Sequence, residues 1–336
     1  MADKPKLAIY WSSSCGGCEI AVVNLHEHLL DVAAHFDLVF CPCLVDAKKK
    51  DVEALPDGSI AATLFNGAVR TEDNEEMARL LRSKSKLLIA YGSCAQGGGI
   101  PALSNLSSRS EHIDTIYLDC PSVDNPDGIV PRERTRVPEG VLELPRFFDR
   151  VRSLEQVVPV DYVIPGCPPE SDQLWNVLQL FIRAEPLPPR GAVIGAGNSA
   201  VCDECRRERT EKKIDGFRRI WEFVPDRETC LLEQGLLCMG AATRSGCGGL
   251  CPEVNMPCIG CYGPPDGVYD QGAKMAATLG SILDIAPIRD LRDEERIYEL
   301  VNAAIAAVPD LAGVACKFSL ATRNRSNAVT EEVTTP

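Results

Sequence analysis

The stretch "KLAIYWSSSCGGCEIAVVNL", residues 6–25, decides the fold class of the first half of the chain. Its first six residues are a short apolar run that predicts a β-strand, and residues 19–35 carry apolar side chains at helical spacing, which predicts a helix. Cys15 and Cys18 lie where the strand ends and the helix begins. A Cys-x-x-Cys pair in this position is either a thiol–disulfide redox centre or half of a metal site.

The alternation of strand and helix continues as far as residue 184. Further strands are predicted at 36–40, 59–67, 86–94 and 161–169, and further helices at 74–85 and 170–184. Near-continuous apolar strands between helices are typical of a parallel sheet covered on both faces. The sequence therefore predicts a flavodoxin-like, doubly wound α/β domain over residues 1–188. A Pro- and charge-rich excursion at 120–160 is predicted to be a loop with one helical turn.

The chain changes character after residue 188. Between Cys202 and Cys261 it holds eight cysteines, many glycines and prolines, and little periodicity of apolar residues. Such a segment lacks the apolar surface for a core of its own and needs bound metal to fold. We therefore predict a small, irregular, metal-holding domain over 189–321, followed by a mobile polar tail over 322–336.

Composition and charge restrict the class of protein. The chain has 336 residues, a formal net charge of −13 and sixteen cysteines. An acidic chain is poorly suited to nucleic acid, because phosphate contacts need clustered Lys and Arg. The N-terminus shows no twin-arginine pair and no apolar signal region, and no long apolar run follows, so a cytoplasmic location without membrane insertion is predicted. Stable disulfides are rare in that compartment, and so many cysteines there indicate metal binding or catalysis.

Four cysteines of the first domain share one structural position. Cys15 and Cys18 follow the first predicted strand, Cys94 ends the strand at 86–94, and Cys167 follows the last strand. The carboxyl ends of the strands in a doubly wound sheet lie at one edge, where ligands bind. Four thiolates hold a [4Fe–4S] cluster, and the neighbouring glycines allow backbone N–H groups to approach its sulfurs. We favour this cluster site over separate buried thiols.

Eight cysteines of the second domain make two further sets of four. Their spacing is Cys202-x2-Cys205-x24-Cys230-x7-Cys238-x8-Cys247-x3-Cys251-x6-Cys258-x2-Cys261. The first four and the last four are natural groups, although pairing by sequence is not unique. Structural zinc is an alternative, because four-cysteine zinc sites hold small irregular domains together. A zinc ribbon usually repeats Cys-x2-Cys after about 15–20 residues, so the gap of 24 after Cys205 favours iron–sulfur clusters.

The roles of the other candidate residues remain open. Cys41, Cys43, Cys120 and Cys316 are interpreted as ordinary buried or unbonded thiols, although Cys41 and Cys43 end a predicted strand near the same sheet edge. Glu19 is either a helix N-terminal acid that the helix dipole favours, or a hydrogen-bonding group or proton relay beside the cluster. The basic run at 206–219 is interpreted as a solvated helical face or as a docking site for an acidic electron acceptor.

Taken together, the motifs resemble those of the small subunits of cytosolic [NiFe] hydrogenases. They are "CGGCE" (15–19), "GSCAQGGGIP" (92–101), "PGCPP" (165–169), "VCDEC" (201–205), "CLLEQGLLCMG" (230–240) and "CGGLCPEVNMPCIGCYGPPDGVYDQGAKM" (247–275). The resemblance is strongest to the F420-non-reducing, or methyl-viologen-reducing, type that is associated with heterodisulfide reductase. It covers residues 6–283, with the excursion at 120–160 as its weakest part.

The resemblance implies a role for each set of cysteines. Cys15, Cys18, Cys94 and Cys167 would hold a proximal [4Fe–4S] cluster; Cys247, Cys251, Cys258 and Cys261 a medial one; and Cys202, Cys205, Cys230 and Cys238 a distal one. The chain would be an electron-transfer subunit, with H2 cleaved at the nickel–iron site of a partner large subunit. Electrons would pass to a further electron-transfer subunit, as in a heterodisulfide-reductase-like complex. The nickel-binding D-P-C-x-x-C-x-x-H ending of large subunits is missing, so no nickel is expected in this chain.

Two departures from the periplasmic enzymes bear on the potentials of the clusters. Cys202 stands where their distal cluster has a histidine, and Cys251 adds a fourth thiolate to a medial site that has three there. Additional thiolate charge should lower both reduction potentials. Two alternative functions remain. One is the iron–sulfur subunit of a complex-I-like quinone oxidoreductase, whose first site has adjacent cysteines where Gly16 and Gly17 separate the pair here. The other is a structural zinc scaffold.

Overall fold

The computed structural model describes residues 4–210, 213–284, 286, 288–306, 308 and 310–322. The chain divides into two compact units, one formed by residues up to Ile194 together with those from Leu320 on, and the other by Gly195–Ser319. The predicted domain boundary at 188 stays a prediction. The tail predicted over 322–336 lies, after Thr322, outside the described residues.

The first unit alternates strands and helices. Its strands are β1 (Lys6–Trp11), β2 (Asp37–Phe40), β3 (Ile60–Asn66), β4 (Val69–Thr71), β5 (Ser85–Tyr91), β6 (Arg134–Val137), β7 (Gly140–Glu143), β8 (Phe147–Arg152) and β9 (Tyr162–Ile164). Its helices are α1 (Gly17–Val23), α2 (His28–His35), α3 (Lys49–Glu53), α4 (Glu72–Lys84), α5 (Ser93–Gly97), α6 (Arg109–Asp114) and α7 (Ser171–Ile182). Short 3-10 helices lie at Ile100–Leu106 and Leu154–Gln156, and a π-helical turn lies at Thr115–Asp119.

Five strands form one parallel sheet in the order β2-β1-β3-β5-β9. Counted among themselves, these strands have the order 2-1-3-4-5, which is that of the flavodoxin-like doubly wound fold. Both faces of the sheet are buried, since successive residues of β5 belong to different apolar clusters, Leu88 to one and Ile89 to the other. The predicted fold class is confirmed.

Two local predictions for this unit are wrong. The helix predicted over 19–35 is two helices, α1 and α2, because His26 between them has a φ of +52°, which a right-handed helix cannot contain. The excursion at 120–160 is not a loop with one helical turn. It contains the hairpin β6–β7 and strand β8, which pairs with β4. The strands of this hairpin are almost wholly exposed, so they lack the apolar alternation by which a half-buried strand is predicted.

The second unit is irregular over the cysteine-rich stretch and helical after it. Its helices are α8 (Leu250–Glu253), α9 (Gln271–Ile282), α10 (Glu294–Ile305) and α11 (Leu311–Cys316), with 3-10 helices at Val201–Asp203 and Met239–Ala242. The helical face predicted at 206–219 is wrong, because the described residues of that run contain no helix. In neither unit does the described part of the chain contain a helix with the length and hydropathy to cross a membrane.

A buried carboxylate connects β5 to the start of β9, and its removal should destabilise the first unit. Asp161 Oδ2 accepts hydrogen bonds from Leu88 N at 2.8 Å and Arg82 Nη1 at 2.6 Å, and Oδ1 lies 2.9 Å from Arg190 Nη1. We expect Asp161→Ala to lower the free energy of unfolding by about 3 kcal/mol, because it leaves buried donors unpaired. Urea unfolding measures the change. Arg190→Ala is the control, since its guanidinium is 68% exposed and should contribute less than about 1 kcal/mol; equal losses would contradict the expectation.

Candidate metal centres

Four cysteines come together at the carboxyl edge of the parallel sheet. Cys15 and Cys18 lie at the start of α1 after β1, Cys94 lies on α5 after β5, and Cys167 follows β9. Their thiols are within electrostatic range of one another. Burial raises the pKa of Cys18, and that pKa is raised further by the nearby Glu19, Cys94, Cys167 and Cys15. Burial also raises the pKa of Cys94 to about 12, and Cys167 and Cys15 add to that effect. We call these four side chains the sheet-edge cysteines.

The backbone around the sheet-edge cysteines has the form that a bound metal–sulfur group requires. Gly92 has a φ of +84°, and a Cβ at this residue would lie 2.5 Å from Cys18 Sγ. A Cβ at Gly99, where φ is +55°, would lie 2.7 Å from Cys94 Sγ. The backbone N–H of Ile100 hydrogen-bonds the Cys94 thiol and opposes the rise of its pKa. Backbone that lies close to the ligand sulfurs, and N–H groups that donate to them, orient the ligands of a metal–sulfur group and tune its potential. These residues therefore fit an iron–sulfur cluster.

Glu19 is a buried carboxylate directly beside the sheet-edge cysteines. Asn66 Nδ2 donates to its two oxygens at 2.7 and 2.8 Å and to Ser14 Oγ at 2.8 Å. Burial raises the pKa of Glu19, and the hydrogen bonds from Asn66 partly oppose that rise. Sequence reasoning missed Asn66, although a polar residue that ends an apolar strand at a ligand-binding edge is a usable signal.

A cavity in the second unit is lined by the first four cysteines of that unit, and we call it the four-cysteine cavity. These residues are Cys202, Cys205, Cys230 and Cys238. Burial raises the pKa of Cys202 to about 12, Cys238 and Cys230 add to the rise, and Arg209 opposes it. Burial likewise raises the pKa of Cys238 to about 11, against hydrogen bonds from the N–H groups of Gly240 and Cys258. The chemistry of this donor set fits an iron–sulfur cluster too.

The other set of four, Cys247, Cys251, Cys258 and Cys261, reaches the first set through Cys258. Cys251 lies on α8 and Cys247 lies three residues before that helix. The N–H of Cys258 donates to Cys238 Sγ at 3.3 Å, so the two sets meet there. Burial raises the pKa of Cys258, and Cys238 and Cys261 raise it further. In the described residues, no three or more His, Cys, Asp or Glu side chains are spaced to hold a single metal ion.

The remaining cysteines are the four to which no ligand role was assigned. Cys41 and Cys43 lie close together after β2, and burial raises the pKa of Cys41 to about 11. Cys120 lies 3.2 Å from Ser122 Oγ, and Cys316 is buried at the end of α11. None of the sixteen cysteines, all of which fall within the described residues, forms a disulfide.

Comparison with known proteins places these features in a family. Residues 15–181 match the family described as "NADH ubiquinone oxidoreductase, 20 Kd subunit". The iron–sulfur subunit of the F420-non-reducing hydrogenase of Archaeoglobus profundus is 42% identical over 284 residues, which are 83% of this chain and 88% of that protein. A subunit of the F420-non-reducing hydrogenase of Methanothermobacter marburgensis is 36% identical over 303 residues, which are 89% and 92% of the two chains.

One solved structure supports the fold. The recombinant [NiFeSe] hydrogenase from Desulfovibrio vulgaris Hildenborough matches with a TM-score of 0.50 and 18% identity, over 79% of this chain and 96% of that one. The sequence relatives show the family and not only the fold, because they match this chain over nearly all of their length. The chain belongs to the family of F420-non-reducing hydrogenase iron–sulfur subunits. It is therefore a subunit of an oxidoreductase that acts on H2.

Proposed function

We propose that this chain transfers electrons between the nickel–iron site of a hydrogenase large subunit and an electron-accepting partner, through three [4Fe–4S] clusters. The observation that supports this most is the grouping of the sheet-edge cysteines, contributed by three separate strand ends. A cluster held there supplies one-electron chemistry. The protein's own residues would hold it, direct N–H groups at its sulfurs and exclude water.

The cysteines divide among the three clusters as the family resemblance implies. The sheet-edge cysteines hold the proximal cluster in the domain over 1–188. In the domain over 189–321 the four-cysteine cavity holds the distal cluster, and the medial cluster has the ligands Cys247, Cys251, Cys258 and Cys261. The hydrogen bond between Cys258 and Cys238 supports adjacent medial and distal sites. Glu19, buried beside Cys18, acts as a hydrogen-bonding group or proton relay at the proximal site.

Partners follow from this arrangement. Large apolar side chains are exposed on β1 and α1, the elements that flank Cys15, namely Trp11 (43%), Ile20 (58%) and Val23 (43%). Exposed apolar patches mark protein–protein surfaces, which supports docking of the large subunit here. H2 is cleaved in that subunit, this chain holds no nickel, and electrons leave to a further subunit of a heterodisulfide-reductase-like complex. We place the complex in the cytoplasm.

A quinone-oxidoreductase subunit is the second candidate, because the family matched over residues 15–181 bears that description. The eight cysteines from Cys202 to Cys261 lie beyond that match, and they favour the hydrogenase function. A zinc scaffold differs from both in its metal content, which can be measured directly.

Metal content is the first prediction to be tested. The complex is purified anaerobically, and native mass spectrometry of this subunit measures its bound iron, sulfide and zinc. We expect four irons and four sulfides at each of three sites, about 12 irons in the chain, with a broad absorption that dithionite bleaches. Stoichiometric zinc with little iron would refute the proposal, and four irons alone would instead favour the quinone-oxidoreductase alternative.

A further inference from the structure

Arg207 is a buried cation in the wall of the four-cysteine cavity. Its five N–H groups are all directed at neutral oxygens. Nε and Nη2 donate to Pro252 O at 3.1 and 3.0 Å, and Nη2 also donates to Asn255 Oδ1 at 2.6 Å. Nη1 donates to Asp226 O at 2.7 Å and Thr229 O at 3.0 Å. These bonds hold the guanidinium in one position.

The charge of this guanidinium is not balanced by an ion pair. Within the described part of the chain, Arg207 forms no salt bridge, whereas Arg206 beside it is exposed and lies 3.2 Å from Glu253. The carboxylate of Asp226 interacts electrostatically with Arg207, but it is fully exposed, so solvent screens that interaction, and its Oδ1 accepts hydrogen bonds from the N–H groups of Glu228 and Thr229. Buried charges in proteins are normally paired or bound to a metal group. The cysteines of the cavity, once they are thiolates, are the negative groups that line the same cavity as Arg207.

We propose that Arg207 is the counter-charge of the cluster held in the four-cysteine cavity and that it raises the reduction potential of that cluster. The inference rests on the proposed function. Reduction adds one electron and no proton to the cluster, so a fixed positive charge stabilises the reduced form more than the oxidised form. Arg207 acts from a buried site, where the effective dielectric constant is low. Arg209 also lines the cavity and opposes the rise of the Cys202 pKa, but it is exposed, so solvent screens part of its charge.

This role opposes the effect of the ligand set. Four thiolates make the cluster more negative and lower its potential. The positive charge of the guanidinium raises the potential again in part, without occupying a coordination position. Arg207 is therefore a positioning residue that tunes the distal cluster and does not bind it.

The test is a redox titration of the whole complex, followed by electron paramagnetic resonance. The signal that Cys202→His alters identifies the cluster of this cavity. At the potential where that cluster is half reduced in the unmodified complex, we expect Arg207→Met to lower the ratio of reduced to oxidised cluster about tenfold, which corresponds to ~59 mV for one electron. Arg207→Lys keeps the charge and should keep the ratio within about twofold. Arg206→Met, the control on the neighbouring exposed arginine, should leave the ratio unchanged.

The outcomes separate this inference from the proposed function. A complex without an iron–sulfur signal that depends on Cys202 would overturn the proposed function. If that signal is present and Arg207→Met titrates like the unmodified complex, the inference alone is overturned. Loss of the cluster in both Arg207→Met and Arg207→Lys would also overturn it, because Arg207 would then only connect the segments at 226–229 and 252–255.

Discussion

Substituting Cys167 by serine is expected to lower H2-driven dye reduction at least about 100-fold, beyond the range typical of changes to residues that only support a ligand. Cys167 is the one sheet-edge cysteine contributed by the loop after β9, so no other thiol of that loop can replace it. Serine is a weaker ligand for iron than a thiolate. Under the proposed function, the loss would fall on the cluster nearest the large subunit, through which electrons from H2 would pass.

Two variants provide the controls for this experiment. Cys41→Ser changes a buried thiol at the end of β2, at the same edge of the sheet, and should leave both the dye reduction and the cluster signals intact. Cys202→His should change the signal of the distal cluster alone. Activity and paramagnetic spectra are measured on the same anaerobic preparations. Unchanged spectra in both Cys167→Ser and Cys202→His would refute the ligand assignment, and a loss of signal in Cys41→Ser would show that Cys41 is a ligand.

Gly92→Ala should remove the same cluster without changing any ligand. The added Cβ would lie 2.5 Å from Cys18 Sγ, closer than two such atoms can approach. A thiol with no bound metal can rotate away from the methyl group at little cost. A thiolate fixed to iron cannot rotate, so we expect proximal cluster content and H2-driven dye reduction to fall at least about tenfold.

The control tests whether an alanine at a positive φ is by itself enough to lose the cluster. Gly191 has a φ of +89°, and a Cβ there would meet no atom within 4 Å, whereas Gly92 combines a φ of +84° and a ψ of 164°, a backbone region essentially restricted to glycine, with the close contact to Cys18 Sγ. Gly191→Ala should therefore cost only the strain of a left-handed residue, about 1–2 kcal/mol of stability, and should keep its iron. Iron content and thermal unfolding of the two variants are compared side by side. If both variants retain the cluster, Cys18 is not held as the proposal requires.

Much of the first site could be predicted because it depends on topology. Strand–helix alternation predicts a parallel sheet, and a parallel sheet brings the residues after its strands to one edge. Cys15, Cys94 and Cys167 are far apart in sequence, yet their place after β1, β5 and β9 follows from that rule alone. The break at His26 and the exposed hairpin β6–β7 were missed, because neither leaves an apolar period in the sequence.

By itself, the sequence determined the fold class, the eight cysteines of the irregular stretch at 202–261 and the family, since apolar periodicity and residue spacing are properties of the chain read in order. Only the tertiary structure decided what surrounds the thiols. In the folded chain, Asn66 donates hydrogen bonds to Glu19, and there is no room for a side chain at Gly92. It also directed all the donors of Arg207 at neutral oxygens. The physical reason is that burial, hydrogen-bond geometry and unpaired charge depend on residues that meet only after the chain has folded.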